Sequence, residues 1–125
     1  MEFVKLLLSQ NYEGYSYINA SNIEMGILGL FLTDDVRYRP SLYKEYAFND
    51  QQQYTSANAT SLEKQNGCVL LRDQYPEEEN PTTLKMTHDQ FIKLLDDWEE
   101  KVCKLEPKEV IIKHENDQFI IETKN

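Results

Sequence analysis

The stretch 87-THDQFIKLLDDWEEKVCKL-105 carries Phe91, Leu94, Leu95, Trp98, Val102 and Leu105 at steps of three and four. That spacing draws an apolar stripe down one side and predicts an amphipathic helix over about 88–105. Thr87 and Gln90 have the capping-box pattern, in which the Thr hydroxyl accepts from a first-turn N–H and the Gln side chain reaches back to the Thr N–H. Pro107 ends the helix, because its ring cannot continue one and pushes Glu106 toward extended geometry. The opposite face holds Asp89, Lys93, Asp96, Asp97, Glu100, Lys101 and Lys104. Asp89/Lys93, Asp97/Lys101 and Glu100/Lys104 stand acid first at i, i+4 and predict surface ion pairs. Such a helix needs a sheet to cover its stripe.

The flanking segments supply sheet. Leu84 and Met86 alternate around Lys85 in a strand leading into the helix, and the apolar run Cys68–Leu71 reads as a central strand paired with it. Between them lies the charged loop Tyr75–Pro81. After the helix, Val110–Lys113 and Phe119–Thr123 flank Asn116 and Asp117, both tolerant of positive φ, which predicts a hairpin over about 109–123. A two-residue turn sets Ile112 opposite Ile121 and His114 opposite Phe119. Val110, Ile112, Phe119 and Ile121 then face the core, while Ile111 and Ile120 point outward among Lys113, Glu115 and Glu122. The expected fold is α+β: a mainly antiparallel sheet packed on one long helix, with Trp98 buried against the C-terminal hairpin.

The N-terminal half is less regular. Phe3, Leu6, Leu7 and Leu8 predict a first strand. Tyr12, Tyr15 and Tyr17 follow, with Tyr15 and Tyr17 at strand period, and either cover a sheet or offer a recognition surface. A strand is expected over Ile27–Thr33, since Gly26 and Gly29 would each cost roughly 1 kcal/mol inside a helix. The alternative is a helix led by a Ser21/Glu24 capping box, with Ile23, Ile27 and Leu30 at helical spacing. Leu42–Phe48 alternates as a strand would. Asn49–Asn66 is polar and reads as a long loop or a poorly ordered strand pair.

At 125 residues the chain suits a single domain spanning 1–125. Its net charge of -9 disfavours direct contact with nucleic acid or an anionic membrane and favours a basic partner. The short apolar runs Leu6–Leu8 and Met25–Leu32 fall below a signal core or a membrane span, so a cytoplasmic protein is expected. Cys68 and Cys103 lie far apart and read as small buried hydrophobes in a reducing compartment. His88 is expected to be exposed in the first helical turn and His114 to sit at a sheet edge. With only these two histidines, no metal-ligand spacing and no phosphate loop, the sequence suggests neither an enzyme nor a bound cofactor or metal.

The segment Leu84–Glu122 joins a strand, Thr87-His88-Asp89-Gln90-Phe91, Leu94-Leu95-Asp96-Asp97-Trp98, Pro107-Lys108-Glu109-Val110-Ile111-Ile112 and a terminal hairpin. It resembles small bacterial immunity proteins, especially those of contact-dependent growth-inhibition systems. The resemblance implies a cytoplasmic protein that binds a cognate toxin domain, often a nuclease, one to one and blocks its active site or substrate groove. It carries over no functional residue. From charge and loop placement, the expected partner-binding residues are Tyr75, Glu77, Glu78 and Glu79, presented between Pro76 and Pro81, followed by Asp34 and Asp35. The mixed Ile111, Lys113, Ile120 face is the competing surface. A generic acidic adaptor and an acidic mimic of DNA are the other function classes.

Overall fold

The structure is a computed structural model and describes residues 1–8, 17–74 and 82–125. Two four-stranded antiparallel sheets form an α+β fold. In the first, β1 (Glu2–Leu7) lies between β2 (Tyr17–Ala20) and β7 (Glu109–Glu115), and β8 (Gln118–Lys124) closes the far edge. In the second, β3 (Tyr54–Ser56), β4 (Thr60–Gln65), β5 (Cys68–Asp73) and β6 (Thr83–Thr87) follow in chain order. The helices are α1 (Ile23–Leu30), α2 (Pro40–Phe48) and α3 (His88–Trp98). Both α1 and α3 touch strands of both sheets, and α2 packs on α3. One continuous apolar cluster joins Val4, Leu28, Leu71, Trp98 and Ile112 across these layers.

The C-terminal hairpin has the expected register. Ile112 pairs with Ile121 and His114 with Phe119, and Asn116 and Asp117 take φ of 50° and 61°. Val110, Ile112, Phe119 and Ile121 are buried. The strand at Leu84 pairs with the one at Cys68, setting Leu71 against Leu84. The 49–66 segment resolves into a strand pair, with Thr55 opposite Leu62. β7 is an inner strand, so His114 is not at an edge; its ring stacks on Phe119 at 4.4 Å and its Nδ1 lies 3.7 Å from Glu2 Oε1.

The α3 capping box forms, Gln90 N donating to Thr87 Oγ1 (3.1 Å) and Thr87 N to Gln90 Oε1 (2.7 Å). Phe91, Leu94, Leu95, Trp98 and Val102 are buried, but Leu105 is 64% exposed. A π-helical turn over Glu99–Cys103, with Lys104 N donating to Glu99 O, rotates the chain so that Leu105 leaves the core face. Glu106 then turns at φ 46° instead of extending. Of the expected ion pairs only Glu100/Lys104 forms (2.6 Å). Lys93 binds Asp97 (2.9 Å), and Lys101 donates to Ile121 O (3.0 Å), tying the helix to β8.

Two expected strands are helices. α1 is helical and runs into a π-helical segment, Phe31–Val36. It is buried against both sheets, so its apolar residues surround it and leave no single stripe to read. Its N-cap is Asn22, whose side chain accepts from Met25 N (2.9 Å). Ser21 instead exchanges hydrogen bonds with the backbone of Phe3. A Cβ on Gly29 would stand 2.8 Å from Val4 Cγ2, so the missing side chain is what lets α1 approach the first sheet. In α2 the alternation of Leu42, Lys44, Tyr46 and Phe48 conceals the helical set Tyr43, Tyr46 and Ala47, which is buried. Pro40 starts that helix, where its missing N–H costs nothing.

Candidate interaction surface

The acids expected to meet a partner have separate fates. Tyr75, Glu77, Glu78 and Glu79 lie outside the described residues. Asp34 and Asp35 are neighbours in the π-helical segment, and only Asp34 reaches the surface. Asp35 is 0% exposed. Its carboxylate accepts from Ala59 N (3.0 Å), Thr60 N (3.0 Å) and Thr60 Oγ1 (2.6 Å), which fastens the turn between β3 and β4 to the helical layer. The structure therefore makes Asp35 a buried clamp and corrects its reading as an exposed acid. Partial burial, and then the charge of Asp35, hold the Asp34 carboxyl above its ordinary value.

A described surface with both acids and apolar anchors is the outer side of α2. Burial of Tyr43, Tyr46 and Ala47 turns Leu42, Glu45 and Phe48 outward at steps of three, with Leu42 48% and Phe48 64% exposed. The helix is held at its middle and at its C-terminal end. Lys44 Nζ bridges to Asp96 (2.8 Å) and Glu99 (3.2 Å) of the α3 segment. Lys64 Nζ donates to Tyr46 O (2.7 Å) and Asn49 O (2.6 Å) at the C-terminal end, its ammonium 4.5 Å from the Tyr46 ring centre. Tyr46 in turn donates its hydroxyl to Gln53 O (2.9 Å), and burial pushes that hydroxyl up to about 12.

Beyond the end of α2 lies a cleft of about 410 Å³. Phe48, Asp50, Gln53, Asn66, Cys68 and His88 line it with Lys64. The His88 ring meets Phe48 edge-on at 5.2 Å, and its Nε2 donates to Ala47 O at 3.1 Å. His88 is thus a half-buried wall of the cleft and not a freely exposed first-turn residue. Cys68 and Cys103 are also half-buried, and Cys103 Sγ donates to Arg37 O (3.1 Å), burial raising its thiol above the ordinary value. Among the described residues no cation stands within ion-pair distance of Glu45, Asp50 or Asp89, whereas Lys44 and Lys93 are paired with acids. Glu45 on the same helix face and Asp50 in the same cleft lining therefore set acids beside the apolar pair Leu42 and Phe48.

No protein family, curated protein or solved structure matches the chain.

A second surface is the outer face of the first sheet. Register places Tyr17 beside Leu7, Lys5 beside Ile111, and Lys113 between Phe3 and Ile120. Tyr17, read as either cover or recognition, thus joins the Ile111, Lys113, Ile120 face. Its charges cancel locally, Lys5 pairing with Glu109 and Lys113 with Glu122, both at 3.1 Å. It offers apolar contact without net charge. Among the described residues no cluster of three or more His, Cys, Asp or Glu is arranged to hold a metal ion, and no helix is long and apolar enough to cross a membrane.

Sequence reasoning missed Phe48, Asp50, Gln53 and His88 as neighbours. The available signal was Pro40 followed by Tyr43, Tyr46 and Ala47, which marks a helix start and a buried helical face. The pairing of β4 with β5, which brings the 64–68 turn under that helix end, is long-range and has no local signature.

Proposed function

We propose that the protein is an inhibitory binding partner of a basic protein, with the α2 face as the contact. The observation that carries this is the pair of exposed acids Glu45 and Asp50 beside exposed Leu42 and Phe48. Apolar and aromatic anchors at the centre of a charged rim are the usual anatomy of a specific protein interface. The resemblance of Leu84–Glu122 to bacterial immunity proteins supports a cognate toxin domain as the partner, a nuclease being favoured because its substrate groove must be basic. Neutralisation then follows from one-to-one occlusion of that groove, in the cytoplasm of the producing cell, with no catalysis by this chain.

The test is binding of the purified protein to the product of the adjacent gene, compared with a Leu42→Arg/Glu45→Lys variant. Loss of affinity of at least tenfold, about 1.4 kcal/mol, is expected at an unchanged thermal midpoint. Wild-type affinity in the variant would remove α2 from the interface and direct attention to Glu77, Glu78 and Glu79 or the Ile111, Lys113, Ile120 face. Recovery of many nucleic-acid-binding proteins, in place of one partner, would favour mimicry of DNA.

A further inference from the structure

We infer that the cleft at the C-terminal end of α2 is a binding pocket for an arginine side chain, presented by the basic partner. This rests on the reading of α2 as the interface and names what the partner inserts there.

The sign of the ligand follows from which groups are already engaged. The Lys64 ammonium donates to Tyr46 O and Asn49 O and lies over the Tyr46 ring, so its charge answers the negative end of α2. At the first turn of α3, His88 N donates to Gly67 O (3.0 Å) and Gln90 N to Thr87 Oγ1 (3.1 Å), so neither of these amides is open to an anion. Several acceptors remain open. Asp50 offers a carboxylate with no cation at ion-pair distance among the described residues. Gln53 donates its Nε2 to Asp50 O (3.0 Å), which leaves its Oε1 free to accept. His88 donates from Nε2 to Ala47 O, so in the neutral ring Nδ1 carries the lone pair.

The shape selects a planar cation. Phe48 presents an exposed ring, braced edge-on by His88, and a guanidinium can stack on it while donating in its plane to several acceptors. An ammonium has no plane to stack and fewer donors to distribute. A phosphate would face the Asp50 carboxylate.

The test is an NMR titration of the full chain with acetyl-arginine amide, acetyl-lysine amide, the neutral isostere acetyl-citrulline amide, and inorganic phosphate. Arginine amide is expected to give saturable shifts at Asn66, Gly67, Cys68 and His88, with lysine amide at least fivefold weaker and citrulline amide without saturation. Phe48→Ala and Asp50→Asn, both at exposed positions, should each weaken the arginine response at least fivefold at an unchanged thermal midpoint. Equal responses to arginine and citrulline, saturation by phosphate, or arginine shifts confined to Asp96–Glu100 would overturn the assignment. A silent cleft, with partner binding still lost in the Leu42→Arg/Glu45→Lys variant, sinks the arginine pocket and leaves the interface standing. A cleft that saturates, with that variant binding its partner normally, leaves the pocket and removes the interface.

Discussion

Asp35 and Asp34 show how two adjacent identical side chains take opposite parts. The Asp35 carboxylate satisfies two backbone N–H groups and one hydroxyl at a turn that is buried around Thr60. Removing it strands those donors away from water, so Asp35→Ala is expected to destabilise the fold by about 3 kcal/mol, read as a lower urea midpoint at an unchanged slope. A midpoint equal to wild type would mean that the turn at Thr60 is not held by this group. Asp34 is the reverse case, since burial and the neighbouring charge disfavour its ionised form in the folded chain. With the folded value above the unfolded one, the penalty is absent below the ordinary value of 3.8 and complete once pH exceeds the folded value. Asp34→Asn should therefore be more stable than wild type at neutral pH, with the advantage fading on acidification through that window. Denaturation series at pH 3 and pH 7 check the sign.

At the scale of elements, α1 and α3 report two kinds of burial. The two glycines of α1 separate helix propensity from packing. At Gly26 the nearest heavy atom to an added Cβ is Ala20 Cβ at 3.7 Å, an ordinary contact, so Gly26→Ala is expected to gain up to about 1 kcal/mol. At Gly29 the same methyl meets Val4, Ile18 and Leu6 at 2.8–3.1 Å, and Gly29→Ala should lose roughly 1 to 3 kcal/mol through overpacking. Opposite signs in thermal midpoint are the expected result; two stabilised variants would show that α1 does not approach the sheet so closely. In α3, Trp98 is fully buried and its indole donates to Arg37 O at 2.7 Å, so the ring joins the helix to the end of the first helical segment. Trp98→Ala is expected to cost about 3 to 5 kcal/mol, measured by chemical denaturation.

Taken as a whole molecule, the charge has a direction. The outer sheet face is locally neutral, while among the described residues Glu45 and Asp50 at α2 stand outside ion-pair distance of any cation. Opposed potentials speed encounter more than they deepen final affinity. Association with a basic partner should therefore slow steeply as salt rises past physiological strength, where the screening length is ~8 Å, and dissociation should change little. Stopped-flow rates at low and high salt check this. A salt-independent association rate in the wild type would remove electrostatic steering from the mechanism. Glu77, Glu78 and Glu79→Gln, tested in the same way, measures what those three charges add.

Local pattern determined the elements in which one face is buried and one is wet. The α3 stripe from Phe91 to Trp98, its Thr87/Gln90 box and the 110–123 hairpin with its register were legible because period and turn chemistry are properties of neighbouring residues. Tertiary structure alone decided the rest. α1 is covered by two sheets, so its sequence lacks the polar face that announces a helix, and Gly29 is explained only by Val4 and Leu6, distant in the chain. Asp35 is buried because Ala59 and Thr60 come to it across the fold, and nothing beside it in sequence distinguishes it from Asp34. The cleft joins the ends of α2, the β4–β5 turn and α3. Its chemistry is a meeting of segments whose pairings are set by long-range packing, which no short window of residues contains.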